Sequence, residues 1–421
     1  MSTYKFLHAA DLHIDSPLRG LDKYDGAPVD EIRGATRAAL ENLVSLAIEE
    51  KVEFVILAGD IYDGTWPDHN TGLYFISQMT ALKQAGINVY IVSGNHDAES
   101  KITKKLRYPD NVTVFPSKKP KTIKNDELEY SIHGQSFADS SVSENLAVGY
   151  PTPTKNHINI GILHTSVDGR EGHANYAPCT LRDLTDKGYD YWALGHIHKR
   201  EVLSEDPYVI FPGNIQGRHA RETGKKGCTL VSVNDGNIVA IEHRDLDVLR
   251  WFGCEVDASG LSTRQEVLDE ISLRIEKIVD DNPDMILALR VRLVGNSEAH
   301  YEIVRDKENF FNDCCAIGLG ISNSIWVEKI EHKTTTVIES TGVAMDKEIL
   351  SGIQERANQR ADSEEALALL TEELSDFHKR LPPELLKLEG DDSLNDSVAI
   401  KRFIMDAKDL ISSHLADGAS Q

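Results

Sequence analysis

The sequence predicts a mixed α/β (α+β) fold: two packed sheets with helices outside them, then a small α/β unit and a helical tail. Three observations carry this. Apolar runs at residues 4–10, 54–58, 89–92, 158–163 and 191–194 read as buried parallel strands. Residues 28–50 and 69–86, lying between such runs, have apolar side chains at helical spacing. Residues 228–234 and 237–243 flank Asp235-Gly236, a dipeptide suited to a tight β-hairpin.

Each of the five runs ends in a polar motif. In order these are Asp11-Leu12-His13, Gly59-Asp60-Ile61-Tyr62-Asp63, Gly94-Asn95-His96-Asp97, His164-Thr165 and Gly195-His196-Ile197-His198. Function gathers where parallel strands end, so aspartate, asparagine and histidine should arrive at one sheet edge. These are ligand types for hard or borderline divalent metals. In extended chain, residues two apart point the same way, which aims Asp11 with His13, and His196 with His198, at one pocket. Glycine precedes Asp60, Asn95 and His196, where the backbone must turn or pass close to the site. Asp60 is the natural bridge, since one carboxylate offers two oxygens to two ions. Two metals about 3.5–4 Å apart would clamp a phosphoryl oxygen.

The remaining elements follow in order. A second unit, residues 246–340, should hold a strand near 251–256, a helix near 263–281 that Asn282-Pro283 ends, and strands near 286–293 and 325–332. From about residue 345 the chain turns helical and acidic. Residues 346–360, 363–381 and 397–415 carry apolar side chains at three-to-four spacing. Ser363 is a fitting N-cap, Pro382-Pro383 a firm stop, and residues 389–392 an acidic linker. The three segments are thus 1–245, 246–340 and 341–421.

The motif series resembles that of the calcineurin-like metallophosphoesterases. The flanks are narrower. Residues 6–18, Phe6-Leu7-His8-Ala9-Ala10-Asp11-Leu12-His13 onward, and Phe211-Pro212-Gly213-Asn214-Ile215-Gln216-Gly217-Arg218 resemble the SbcD/YhaO-type DNA repair exonucleases. The resemblance covers residues 1–245 well and the rest loosely. It implies a two-sheet metallophosphoesterase sandwich flanked by helices, with a small α/β cap domain that helps hold DNA. One metal would take Asp11, His13, Asp60 and His198; the second would take Asp60, Asn95, His164 and His196. His96 resembles the family's catalytic histidine. Asp97 either orients His96 or stands as an exposed N-cap. Relatives that carry a histidine three residues after the bridging aspartate differ here, where Asp63 stands. The resemblance favours two divalent ions, Mn(2+) by preference, though oxygen and imidazole donors also suit iron or zinc. It implies DNA as substrate and an SMC-like (SbcC/YhaN-type) ATPase partner gripped by the tail. The tail helices folding back on their own cap is the other reading.

Charge and composition bound these expectations. A net charge of −23 is unusual for a nucleic-acid binder. Two divalent ions against Asp11 and Asp60 would still leave the site positive. Arg218, Arg221 and Lys225, with Lys226, follow the Gly213–Gly217 turn and are candidates for substrate phosphate contact. Lys118, Lys119, Lys121 and Lys124 form a basic loop that reads as a solvated face rather than a phosphate contact. Five cysteines without CxxC spacing suggest reduced thiols in a cytoplasmic protein. The adjacent Cys314-Cys315 admits either a redox pair or packed small residues. No apolar run reaches a membrane span, and the N-terminus enters a strand without a signal pattern. His8 fits a hydrogen-bonded core position, and His133 ends a strand that either approaches the pocket or does not.

The expectation is a two-metal phosphodiesterase acting on DNA. A small-molecule (nucleotide) phosphodiesterase and a non-enzymatic scaffold in an ATPase complex are the alternatives. Exo or endo cleavage, strand polarity and formation of a homodimer are left open by the sequence.

Overall fold

The computed structural model describes residues 3–16, 29–63, 70–99, 106–169, 176–335, 344–378 and 396–418. Pro382-Pro383 and the 389–392 linker lie outside the described residues. The first part of the chain runs β1 (Thr3–Ala9), α1 (Val29–Glu49), β2 (Phe54–Ala58), α2 (Asn70–Gln84), β3 (Asn88–Val92), α3 (Asn95–Glu99) and β4 (Val112–Val114). It continues through β5 (Lys121–Asn125), β6 (Tyr130–Gly134), β7 (Ile158–His164), α4 (Leu181–Thr185), β8 (Tyr191–Gly195), β9 (Glu201–Glu205), β10 (Tyr208–Phe211), β11 (Gly227–Asn234) and β12 (Asn237–Asp245).

These strands form two six-stranded sheets. One has the order β12-β11-β1-β2-β3-β4, the other β5-β6-β7-β8-β10-β9. Strands β1 to β4 are parallel, and the β11–β12 hairpin closes one edge antiparallel to β1. In the other sheet β6, β7, β8 and β10 are parallel, flanked by antiparallel β5 and β9.

Period-two alternation sorts each strand's side chains onto two faces. Phe6, Phe54, Ile56, Tyr90, Ile160, Ile162, Tyr191 and Ala193 meet between the sheets. Leu7, Val55, Leu57, Val89 and Ile91 face outward, where Leu40, Leu43 and Ala47 of α1 and Phe75 and Met79 of α2 cover them. Leu163, Trp192, Leu194 and Phe211 pack on the far face of the second sheet against Leu184 and Tyr189. Both faces being covered explains why β2, β7 and β8 are uninterrupted buried runs. The parallel strands then deliver their C-terminal ends, and the motifs after them, to one end of the sandwich.

The rest runs β13 (Leu249–Asp257), α5 (Arg264–Asp280), β14 (Ile286–Asn296), α6 (His300–Arg305), α7 (Lys307–Ile321), β15 (Ile325–Thr335), α8 (Ala344–Asp362), α9 (Glu364–His378) and α10 (Ser397–Gly418). Strands β13, β14 and β15 form a three-stranded sheet in that order. A full capping box starts α5: the Thr263 hydroxyl accepts from the Glu266 amide, and the Glu266 carboxylate accepts from the Thr263 amide. Ser363 caps α9 by accepting from the Ala366 amide at 3.2 Å.

The chain separates into two compact units. The first comprises Met1–Gly253, Asn282–Leu289 and Ser324–Glu328, the second Cys254–Asp281, Arg290–Asn323 and Lys329–Gln421. Within the second, α10 packs against α6, α8 and α9. Ala361, Ala399 and Ile400 are buried there. Lys307 pairs with Asp406 at 2.8 Å, and Lys401 with Asp362 at 2.8 Å. All five cysteines are free thiols, four of them buried. Among the described residues no helix is long and apolar enough to cross a membrane.

Candidate metal centre

The five motifs converge at the end of the sandwich where the parallel strands of both sheets finish. Asp11 and His13 follow β1, Asp60 follows β2, Asn95 opens α3 after β3, His164 ends β7, and His196 and His198 follow β8. All seven side chains belong to one contiguous cluster. His13 Nε2 faces His198 Nε2 at 3.1 Å. His164 Nε2 lies 3.4 Å from Asp60 Oδ2 and 3.1 Å from Asn95 Oδ1. The His196 ring packs edge-on against His164, centroids 5.3 Å apart. Donor atoms of Asp11, His13 and His198 lie within 4.8 Å of one another, as do those of Asp11, Asp60 and His164. Those of His13, Asp60 and His96 do so too.

The backbone is bent to make this possible. Asp11, His13, Asp60 and His196 all have positive φ, at 53°, 44°, 52° and 105°. For a residue with a Cβ such a conformation costs on the order of 1–3 kcal/mol, and it gathers where function over-determines geometry. The glycines serve close approach. A Cβ on Gly94 would strike Asp60 Oδ1, and one on Gly59, itself at φ 95°, would strike His164 Nδ1.

Hydrogen bonds set the imidazoles. His164 Nδ1–H donates to the Ala58 carbonyl at 2.9 Å, which leaves Nε2 as the donor atom for a metal. The Asp11 carboxylate accepts the His196 amide at 3.0 and 3.1 Å. His198 Nδ1–H donates to Glu222 Oε1 at 2.7 Å. Two imidazole nitrogens facing each other at 3.1 Å beside a buried carboxylate cannot both donate. Either one N–H or a cation lies between them, and the imidazoles with the Asp11 and Asp60 carboxylates form a donor set that fits a divalent metal.

The electrostatics agree. Burial pushes the Asp11 carboxyl up to about 6, against the pull of His198 and His164. Burial also opposes ionisation of Asp60, but His164, His13 and His96 outweigh it and hold Asp60 well below the usual carboxylate range. Burial would lower His164, yet Asp60 raises it to about 9. Burial, with Arg218 nearby, lowers His13 to about 4. The Asp60–His164 pair thus draws positive charge into the centre of the cluster.

His96 stands at the rim, 37% exposed, with its Nδ1 3.2 Å from Asp63 Oδ1. Asp63, not Asp97, is the carboxylate within reach of His96 and able to orient it. It also lies 3.5 Å from His13 Nδ1 and accepts the Ser16 hydroxyl at 2.6 Å. Asp97 does not perform that role, nor is it an exposed cap. It is buried, and its oxygens accept the amides of Gly94, Ile61 and Tyr62 at 3.1, 3.3 and 3.1 Å. Those bonds pin the Gly59–Asp63 loop to the Gly94–Asp97 loop. A side chain one residue past His96 on a short helix points away from it, which spacing alone did not reveal.

The basic candidates divide. Arg218 is drawn into the site, 3.6 Å from Asp63 and 3.5 Å from Glu222. Arg221 is exposed. Lys225 is exposed and paired with Asp245 at 2.8 Å. Lys226, by contrast, is buried and donates to the His198 carbonyl at 3.1 Å. Sequence reasoning passed over Glu222 and gave Asn214, although it lies in the Phe211–Arg218 segment, no role of its own. The one signal for Glu222 was a lone acid inside the basic run 218–226. His8 is a core residue, bonded to the Tyr191 hydroxyl at 2.9 Å and the Leu194 carbonyl at 3.1 Å. His133 is likewise internal, between Thr122 at 2.9 Å and Asn159 at 3.1 Å, and stacked on Tyr189.

Comparison with known proteins agrees with this geometry. Residues 4–200 match the family model of the calcineurin-like phosphoesterases, and residues 251–335 that of the middle domain of metallophosphoesterase YhaO. The chain is 41% identical over 258 residues to the uncharacterized metallophosphoesterase YhaO of Bacillus subtilis (strain 168), across 60% of this chain. The matched stretch spans 63% of that relative, under two thirds of its length. Identity to the DNA double-strand break repair protein Mre11 of Sulfurisphaera tokodaii is 26% over 283 residues, 63% of this chain and 68% of the relative. For Mre11 of Sulfolobus acidocaldarius it is 21% over 324 residues, 73% of this chain and 80% of the relative.

Proposed function

We propose that this chain, which carries a calcineurin-like metallophosphoesterase domain of the YhaO type, is a divalent-metal-dependent phosphodiesterase that hydrolyses DNA. The observation that carries the reading is the convergence of Asp11, His13, Asp60, Asn95, His164, His196 and His198 on one buried cluster, with His96 exposed beside it. Asp11, His13, Asp60 and His198 would hold one ion; Asp60, Asn95, His164 and His196 the other. Bound divalent metal polarises phosphate oxygens and makes water a nucleophile at neutral pH. The donors fit manganese, the ion we favour.

The protein's own groups do the rest. Asp63 would accept the Nδ1–H of His96 and so fix the ring; protonated on both nitrogens, His96 would pass its Nε2–H to the departing oxygen and be left as the neutral ring. The Ala58 carbonyl holds His164 in the tautomer that presents Nε2 to metal. The relatives named as double-strand break repair proteins favour DNA over other diesters. In this reading residues 1–245 are the nuclease domain, 246–340 a cap that steadies DNA, and 341–421 a tail that engages an SMC-like (SbcC/YhaN-type) ATPase in the cytoplasm.

A second reading, hydrolysis of small nucleotide diesters, is favoured by the net charge of −23 and by the engagement of Lys225 with Asp245. One experiment separates the two. Purified protein with Mn(2+) is assayed on end-labelled duplex DNA, DNA hairpins and a small nucleotide diester. Metal-dependent DNA cleavage that Asp60→Asn abolishes is the expected result. Cleavage of the small diester alone would transfer the assignment to the second reading. No hydrolysis of either by metal-loaded protein would overturn both.

A further inference from the structure

We propose that Glu222 is a positioning residue for the metal centre: it seats His198, and so sets the affinity of the one ion that His198 holds. The inference rests on the metal-centre reading above and concerns a residue no motif contains. Glu222 is 7% exposed. A buried carboxylate survives only with partners for both oxygens. Oε1 accepts His198 Nδ1–H at 2.7 Å and lies 3.5 Å from Arg218 Nη2 and 3.6 Å from His219 Nε2. Oε2 accepts the Arg218 amide at 2.7 Å and Asn214 Nδ2 at 2.9 Å.

The direction of the bond to His198 gives it meaning. A neutral imidazole has one N–H. With that N–H on Nδ1 and aimed at Glu222, the Nε2 lone pair faces the cluster, 3.1 Å from His13 Nε2. The backbone of His198 is fixed as well. Its carbonyl accepts Lys226 Nζ at 3.1 Å and the Asn214 amide at 3.3 Å. Asn214 therefore serves both His198 and Glu222, and Glu222 closes the ring by fixing the one freedom left, rotation of the imidazole. Arg218 extends the same brace to Asp63, at 3.6 Å. Arg218 thus touches both carboxylates, Glu222 beside His198 and Asp63 beside His96.

A carboxylate that merely shaped the 214–222 turn would have no preference between ions. A carboxylate that seats His198 affects the ion held by Asp11, His13 and His198 and spares the one held by Asn95, His164 and His196. The test is Mn(2+) titration of the full chain by calorimetry, with metal content read by elemental analysis, for wild type, Glu222→Ala and Glu222→Gln. Outer partners of ligating histidines are typically worth about 10–100-fold in affinity. Glu222→Ala should therefore weaken one of two binding events by that factor and leave the other unchanged. Glu222→Gln keeps one oxygen to accept the Nδ1–H but sets its NH2 against the Arg218 amide and Asn214 Nδ2, so it should weaken the same event and recover only part of the affinity. Unchanged affinity in Glu222→Ala overturns the proposal. Equal weakening of both events also overturns it and makes Glu222 a structural residue. The readout needs no turnover, so protein that binds manganese normally but fails to hydrolyse DNA would overturn the nuclease reading and leave this inference standing.

Discussion

Single residues in this site divide into those that face the metal and those that aim them. In the assignment proposed above His96 belongs to neither ligand set, although its ring sits 5.1 Å from that of His13 and shares Asp63 with it. His96→Ala should keep bound metal and DNA affinity while turnover falls by about 100-fold or more. Metal-free protein from that variant would instead make His96 a ligand, a reading that its proximity to His13 and Asp60 allows geometrically. The facing side chains were legible in the sequence because each ends a strand and spacing of two aims neighbours together. The aiming side chains were not. Asp63 and Glu222 reach their histidines across 33 and 24 residues of chain, and only the folded sheet brings them there. A different class of histidine makes a prediction about stability. Burial lowers His133 to about 4, whereas an unfolded histidine titrates near about 6.5. As pH falls below that value the unfolded chain takes up the proton first. Stability from this group is complete above about pH 6.5 and is lost as pH falls through 4, at roughly 1.4 kcal/mol per pH unit. His133→Gln should flatten the pH dependence of urea unfolding by about one proton in that window. An unaltered slope would mean that His133 charges freely in the fold.

Elements explain why the site is so tight. The strands that were legible, β1, β2, β3, β7 and β8, are central and buried on both faces, so apolar composition marks them. The strands that composition hid are short or at the edges. β4 has three residues, while β5 and β9 carry charged side chains at partly exposed positions. Helix α7 escaped because glycine, a poor helix former, stands at Gly318 and Gly320, one of them on its buried face of Phe310, Cys314 and Gly318. Strand order also lay beyond the sequence, since β11 returns from far along the chain to pair with β1. Where β2 and β8 finish, the sheets approach so closely that Gly195 lies against the Ala58 carbonyl, and an added Cβ would overlap that oxygen. The neighbour is backbone and cannot rotate away. Gly195→Ala should therefore cost about 3 kcal/mol or more, and should carry His196 out of place with it. Denaturation and metal content measured together check this. A variant of native stability with full metal content would show that the two strands can part without penalty.

At the scale of the whole molecule, the acidic tail raises the question of what its apolar side chains cover. Part of the answer is internal. Ala361, Ala399 and Ile400 are buried within the second unit, α10 packs on α6, and ion pairs join Lys307 to Asp406 and Lys401 to Asp362. Those surface pairs contribute little, about 0–1 kcal/mol each, so the apolar contacts carry the packing. Other apolar side chains remain outside: Leu369 and Val398 are 58% and 73% exposed. One set thus binds the tail to its own unit, and another is available to a partner helix. Removing everything after Gly342 acts on both sets at once, and its consequences can be read separately. The seven metal-centre side chains all lie in the first compact unit, so manganese content and hydrolysis of a small diester should persist. Uncovering the part of α6 that α10 packs against should lower the unfolding temperature of the second unit and raise its tendency to aggregate. Association with an SMC-like ATPase should disappear. The double substitution Leu369→Ser with Val398→Ser separates these effects, because it leaves the buried set intact. It should preserve the unfolding temperature while weakening the partner. If the truncated chain loses its metal, the tail supports the catalytic unit as well. If the double variant holds the ATPase as firmly as wild type, the exposed tail faces are not the docking surface.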